Sequence, residues 1–330
     1  MEPALTRYLS ATDVSAAMPP VGERLGLAER AMTALVADAE LPPKIGVHPR
    51  PVGSFAHAMP AILRDPAGDD LLGIKWVAGF PENRATGLPA IHAVVILSDP
   101  TTGVPRAILD GGPITAQRTA AVSGVALSRF GPAALGRAPH AAIIGAGVQG
   151  HSHLEVLGHV LPGVELTVHD RHRDRAEALA EAARATPGIE AAEVAATPRD
   201  ATSDADVVIT AASFTDPEHR QAMTADWLTP DALVIPVDYA TMCAAEVARE
   251  AALFLVDDRG QFVANRDAGQ FEGYPDPGAT LGEAILAGST RPERGRVVVT
   301  HLGVGLADVV FADAIVRRAE AAGLGTALSG

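Results

Sequence analysis

Three glycines carry the most specific chemical signal in this chain. They stand in Gly145-Ala146-Gly147-Val148-Gln149-Gly150, spaced G-x-G-x-x-G. A short apolar run, Ala141-Ala142-Ile143-Ile144, precedes them, and His153, Leu154, Val156 and Leu157 follow at helical spacing. In a strand–turn–helix, the first glycine permits the tight turn and the second lets backbone approach a pyrophosphate. The third allows close packing of helix on strand. The helix's unpaired N–H groups and positive dipole end then suit phosphate. Gly145, Gly147 and Gly150, with Val148 and Gln149 between them, are therefore read as a dinucleotide cradle. A second expected strand ends at Asp170, where a carboxylate can accept from the adenosine ribose hydroxyls. Arg171 and Arg173 follow, and arginine can accommodate the 2′-phosphate of NADP. Repulsion between Asp170 and that phosphate outweighs what an exposed arginine recovers, so NAD is expected over NADP.

Two cations have neighbours that suggest chemistry. Lys75 ends the apolar run Leu71-Leu72-Gly73-Ile74 beside Trp76. Desolvation there would lower its pKa toward the acid–base range; the other reading is an exposed strand-end lysine. Arg118 lies among small, apolar and hydroxyl residues, Thr115-Ala116-Gln117 and Thr119-Ala120-Ala121. A guanidinium with so little to pair with locally suits bidentate binding of a carboxylate; the other reading is a structural salt bridge. Cys243 is the single cysteine, so no internal disulfide forms, and with no basic partner it reads as a small buried residue. No Cys/His cluster points to a metal, and Asp257-Asp258 read as solvated acids at a strand end.

The elements that must hold these residues follow from periodicity. Residues 21–38 carry a helical stripe that Leu41-Pro42-Pro43 stops. Short strands are expected at 45–48, 54–59, 71–77, 90–97 and 105–109, with a hairpin loop at 99–103. Such sequential strands imply a largely antiparallel sheet. A helix over 115–129 leads to a boundary segment, 131–139. Strands and helices then alternate: strands at 165–169, 191–194, 207–211, 233–237, 253–256 and 297–300, and a helix over 173–185. The compact apolar runs are of the buried parallel type. A last helix, 307–322, carries a core stripe.

At 330 residues the chain suggests two domains. The net charge of −14, spread along the sequence, argues against nucleic acid and anionic membrane surfaces as partners. Met1-Glu2-Pro3-Ala4 lacks the basic-then-apolar pattern of a signal peptide, and no apolar run is long enough to span a bilayer. A cytoplasmic protein is expected.

The unusual Val148-Gln149 within the glycine motif resembles the ornithine cyclodeaminase/μ-crystallin family. Other pieces are similar in order and spacing: Met59-Pro60-Ala61, Gly73-Ile74-Lys75-Trp76, Pro81-Glu82-Asn83, Gly87-Leu88-Pro89 and Asp110-Gly111-Gly112. The segment 115–121 and Gly303-Val304-Gly305-Leu306-Ala307-Asp308 complete the resemblance. It implies a Rossmann NAD-binding domain, 131–306, and an α+β substrate-binding and dimerisation domain, 1–130, to which a C-terminal helix, about 307–330, returns. It also implies homodimers.

The resemblance further implies hydride chemistry on the α-carbon of an amino acid or cyclic imino acid. The alternatives are a cyclodeaminase with recycled NAD and a nucleotide-dependent small-ligand-binding protein. Lys75 falls on the family's active-site lysine, and Lys44 on a basic residue that contacts the substrate carboxylate, with Arg50 a nearby competitor. His57 stands where ornithine cyclodeaminases carry a glutamate; it is a substrate-binding candidate or only a strand residue. Asp238 is the acid nearest the family's catalytic aspartate, or a cap for the next helix. Ser213 is a cofactor contact or a turn residue.

Overall fold

The computed structural model describes residues 6–132 and 136–328. Residues 1–4, read above for a signal peptide, and three of the boundary segment, 133–135, lie outside the described residues. The elements run β1 (Thr6–Leu9), α1 (Ala11–Ala16), α2 (Val21–Ala37), β2 (Ala39–Glu40), β3 (Ile45–Val47) and β4 (Phe55–Leu63). Then come β5 (Leu71–Gly79), β6 (Ile91–Ser98), β7 (Pro105–Asp110) and α3 (Gly111–Phe130). Next are β8 (His140–Ile144), α4 (Val148–Val160), β9 (Val164–His169), α5 (Arg173–Arg184), β10 (Ile189–Val194), α6 (Pro198–Thr202) and β11 (Val207–Thr210). They continue with β12 (Leu233–Pro236), α7 (Ala245–Arg249), β13 (Leu253–Val256), α8 (Arg259–Asp267), β14 (Ala279–Thr280), α9 (Leu281–Leu286) and β15 (Val297–Thr300). Last are α10 (Gly305–Ala321) and β16 (Thr326–Leu328).

Contacts divide the chain into two compact units, one ending at Arg118 and resuming at Gly303, the other Thr119–Leu302. The first division falls inside α3, upstream of the boundary segment expected from composition. Partners of α3 explain the position: Gln117 accepts from Arg24 and Arg118 pairs with Asp308, whereas Ser123 bonds His153 and His301.

In the first unit the sheet order is β16-β1-β7-β6-β5-β4-β2, with β3 also on β4. Every pairing is antiparallel except β1 with β7. Alternate residues bury one face: Met59, Ala61 and Leu63, Leu71, Lys75 and Val77, Val95 and Leu97. Helix α10 packs on β4, β5, β6 and α2. The intervening positions face outward, leaving Trp76 47% and Val94 38% exposed as register partners.

Strand β4 runs through Pro60 rather than stopping at Met59. On one edge β3 pairs with residues 56–58 and β2 with 62–63. Pro60 lies in the interval between them, where a missing N–H on that side breaks no ladder. The C-terminal helix ends at Ala321 instead of continuing toward 330. Gly323, at φ +67°, closes it, with its N–H donated to Glu320 O and that of Leu324 to Ala319 O.

In the second unit all strand pairs are parallel, in the order β10-β9-β8-β11-β12-β15-β13-β14. The order reverses at β8, whose two neighbours are β9 and β11, and ligands of such sheets sit at the carboxyl ends of the strands there. Strands β11, β12 and β15 are buried at every residue, as two-sided coverage requires.

Candidate active site

In the second unit the glycine motif leaves β8 and enters α4. Gly145 has φ +109°, and a Cβ there would lie 2.4 Å from Ala211 O, so only glycine makes this turn without displacing β11's exit. A Cβ on Gly150 would lie 2.4 Å from Gly145 O, whereas one on Gly147 would meet nothing within 4 Å. The backbone at Gly147 thus borders open space, and no side chain caps α4. Unclaimed helix N–H groups beside an open approach are the physical requirements of a phosphate cradle.

Asp170 is pinned to this turn. Its Oδ2 accepts from Ala146 N–H and its Oδ1 from His172 N–H, both at 2.8 Å. Arg171 is exposed, and Arg173 is paired with Glu177 at 2.8 Å. Val148 and Ser213 are exposed, Gln149 partly so.

Asp238 follows β12 and is buried. Its Oδ1 accepts from Thr210 Oγ1 at 2.8 Å and its Oδ2 from Ala212 N–H at 3.0 Å. Burial raises its pKa to about 7 against the pull of those bonds. It does not cap the next helix, because the N-cap of α7 is Ala244. Tyr239 beside it is held at φ +61°, an uncommon conformation for an aromatic residue, with its ring on Phe214 and Phe271.

A buried chain of hydrogen bonds joins α3, α4 and the exit of β15. His153 Nδ1 is 2.6 Å from Gln149 O, so it must donate. Burial lowers the His153 pKa to about 4, making the ring neutral near pH 7 with Nε2 an acceptor. Ser123 Oγ therefore donates to His153 Nε2 at 2.8 Å and accepts from His301 Nε2–H at 2.9 Å. Among the described residues no cluster of three or more His, Cys, Asp or Glu could hold a metal. Asp257 corrects the reading of solvated acids: it is buried and accepts from Asp258 N–H, while Asp258 caps α8.

In the first unit Lys75 sits on the covered face of β5, opposite Met59 on β4 and Val95 on β6, and only 1% exposed. That excludes the exposed strand-end alternative. Its Nζ is 2.7 Å from Asp308 Oδ2, and Arg118 Nε is 3.1 Å from Asp308 Oδ1. Burial lowers the Lys75 pKa to about 7; the Arg118 charge adds to this and Asp308 opposes it. Arg118 does form a salt bridge, but through Nε alone. Its Nη end lies over Gly303, at φ +80°, where a Cβ would fall 2.4 Å from Nη1.

His57 is half-buried on β4, stacked on Phe55 at 4.7 Å. Burial lowers its pKa to about 4, helped by the charges of Lys44, His48 and Lys75. Lys44 is part-buried and also acts on Lys75, while the competing Arg50 is exposed. Met59, Val77 and Ala93 form a small buried apolar cluster on the same face as Lys75.

The profile of the ornithine cyclodeaminase/mu-crystallin family matches residues 9–322. The chain belongs to this family. It is 33% identical to the nodulation efficiency protein NfeD of Rhizobium meliloti over 99% of both chains. With ketimine reductase mu-crystallin of Mus musculus it shares 30% identity over 78% of each. Its fold superposes on Thermococcus litoralis Δ1-pyrroline-2-carboxylate reductase in complex with NADH and L-proline. The TM-score is 0.83 at 26% identity, covering 97% of this chain and 99% of that one.

Against this family background, sequence reasoning missed three residues that the structure brings to the candidates. Asp308 was visible only as the last residue of the C-terminal motif; its partners lie far away in the chain. Ser123 and His301 gave no signal, since neither has a local pattern. One compositional signal was present: the whole chain contains two lysines, Lys44 and Lys75.

Proposed function

We propose that this member of the ornithine cyclodeaminase/mu-crystallin family is an NAD-dependent oxidoreductase acting at the α-carbon of an amino acid or cyclic imino acid. The observation that carries the reading is Lys75, a buried amine with pKa lowered to about 7 on the same acid as Arg118. A chain that uses arginine for every other strong cation keeps lysine only at Lys44 and Lys75. Of the two cations only the amine can exchange a proton near neutrality, because guanidinium stays charged.

The residues present fit a dinucleotide. The uncapped start of α4 with Gly145, Gly147, Val148, Gln149 and Gly150 binds the pyrophosphate, and Asp170 accepts from the ribose hydroxyls. Arg171 and Ser213 flank that position. The bound nicotinamide supplies or accepts the hydride. Arg118 and Lys44 hold the substrate carboxylate, and His57 borders its side chain. Lys75 gives a proton to the substrate nitrogen during reduction and removes one during oxidation. Asp238, half-protonated near neutrality, orients the amino group or moves a second proton.

The first unit is the substrate-binding and dimerisation domain, and the outward apolar face around Trp76 and Val94 supports a homodimer. The second unit is the NAD-binding domain. Among the described residues no helix is long and apolar enough to cross a membrane; with the single cysteine, this supports a cytoplasmic placement.

The test is a panel of cyclic imino acids, 2-oxo acids with ammonia, and amino acids, followed by NADH absorbance and separately by ammonia. NADH consumption with an imino acid, reversed with the matching amino acid and NAD, is the expected outcome. Ammonia release from a diamino acid without net NADH would establish a cyclodeaminase instead. Tight ligand binding without turnover would establish a binding protein.

A further inference from the structure

We infer that Asp308 is a positioning residue: its one carboxylate bridges Lys75 and Arg118 and sets how both meet the substrate. The inference deepens the oxidoreductase reading and rests on it for its kinetic consequences.

Asp308 stands in the first turn of α10 with no exposed surface. Its two oxygens are divided between two cations, Oδ2 toward Lys75 Nζ at 2.7 Å and Oδ1 toward Arg118 Nε at 3.1 Å. A buried carboxylate is retained only when paired, and here both partners come from distant elements, β5 and α3. Bridging two cations that would otherwise repel fixes their separation.

Taking Nε has a second effect. A carboxylate that binds Arg118 must meet its Nη end, which lies over Gly303, a position without a side chain. Asp308 and Gly303 together thus choose the edge of the guanidinium that is presented.

The acid also governs the proton on Lys75. The groups acting on Lys75 are Arg118 from α3, Lys44 before β3, His57 from β4 and Asp308 from α10. The first two carry positive charge, His57 is neutral near pH 7, and burial reinforces the loss of the proton. Asp308 is the one anion among them. Without it the amine would be deprotonated across the neutral range and could not serve as a donor.

The two-lysine composition makes the proposal directly measurable. In protein labelled with 13C at the lysine ε-carbon, NMR gives two signals, and Lys44→Arg assigns them. The Lys75 midpoint is expected to fall by about one to three pH units in Asp308→Asn. The pH at which kcat/KM for imino acid reduction declines should fall with it, while NADH affinity stays at the wild-type value. A merely structural role would lower Tm and leave the midpoint in place; an Asn variant with the wild-type midpoint overturns the proposal. Should Asn prevent folding, Asp308→Glu keeps the charge but moves it by one methylene. That variant should keep the Lys75 midpoint and raise the KM of the carboxylate substrate about tenfold, as expected for a strained charged hydrogen bond. An unchanged KM would overturn the bridge. The titration needs no turnover, so absence of NADH-linked activity in the wild type would refute the functional reading and leave this test standing.

Discussion

Removing an amine from water weakens its hold on a proton, and Lys75 shows the effect beside a compensating acid. On the proposed mechanism the protonated amine donates in the reductive direction, so kcat/KM should decline as pH rises through about 7. In the oxidative direction the neutral amine accepts, and the rate should rise through the same interval. Lys75→Ala should lose about a hundredfold or more in kcat both ways, with NADH binding retained. Steady-state profiles in both directions check this. Asp238 gives the opposite kind of linkage. Its folded-state pKa of about 7 lies above the ordinary 3.8, so the folded protein binds more protons between those values. Its contribution to stability therefore weakens as pH rises from about 4 through 7. Asp238→Asn can still accept from Ala212 and donate to Thr210. It should remove that decline, visible as a flatter Tm against pH than the wild type. Lys75 and Arg118 were legible as candidates because each has an unusual local setting. Asp308 was not, since it lies 190 positions beyond Arg118 and its local setting is an ordinary helix start.

At the level of elements, apolar runs announced β11, β12 and β15, because strands covered on both faces need no polar alternation. The pair β1 and β16 escaped notice: each is short and mixed in character, and they meet through contacts such as Thr6 with Leu328. Nothing local encodes a partner that distant. The first unit's sheet could be read as antiparallel, yet its two faces could not be ranked, since both carry apolar residues. The structure shows α10 covering one face and Trp76 and Val94 exposed on the other. If that outer face forms the homodimer, Val94→Arg should convert dimer to monomer in sedimentation at micromolar concentration. A charge left unpaired in an apolar interface costs several kcal/mol. An unchanged mass would place the dimer contact elsewhere.

For the molecule as a whole, the two halves of the reading differ in how they were encoded. The candidate dinucleotide site is written in a contiguous motif whose first and third glycines meet a steric demand and whose second borders open space, so it could be read from spacing. The candidate site of the first unit is assembled from β4, β5, α3 and α10, and its chemistry emerges only when these converge. Cofactor choice belongs to this scale, because Asp170, proposed to accept from the ribose, also anchors the glycine turn through Ala146. Asp170→Ser should shift the NAD/NADP ratio of kcat/KM toward NADP by about tenfold or more, from relief of charge repulsion. Affinity for both cofactors should fall, because the turn loses an anchor. A ratio unmoved by the change would remove Asp170 from cofactor selection. The scarcity of lysine reaches further, into how the protein ages. Reducing sugars and acylating metabolites damage proteins mainly at lysine amines, and this chain offers them two, Lys44 part-buried and Lys75 on the covered face of β5. Prolonged exposure to such reagents should therefore leave the bulk of the surface unaltered. Mass spectrometry would find lysine modification confined to those two positions.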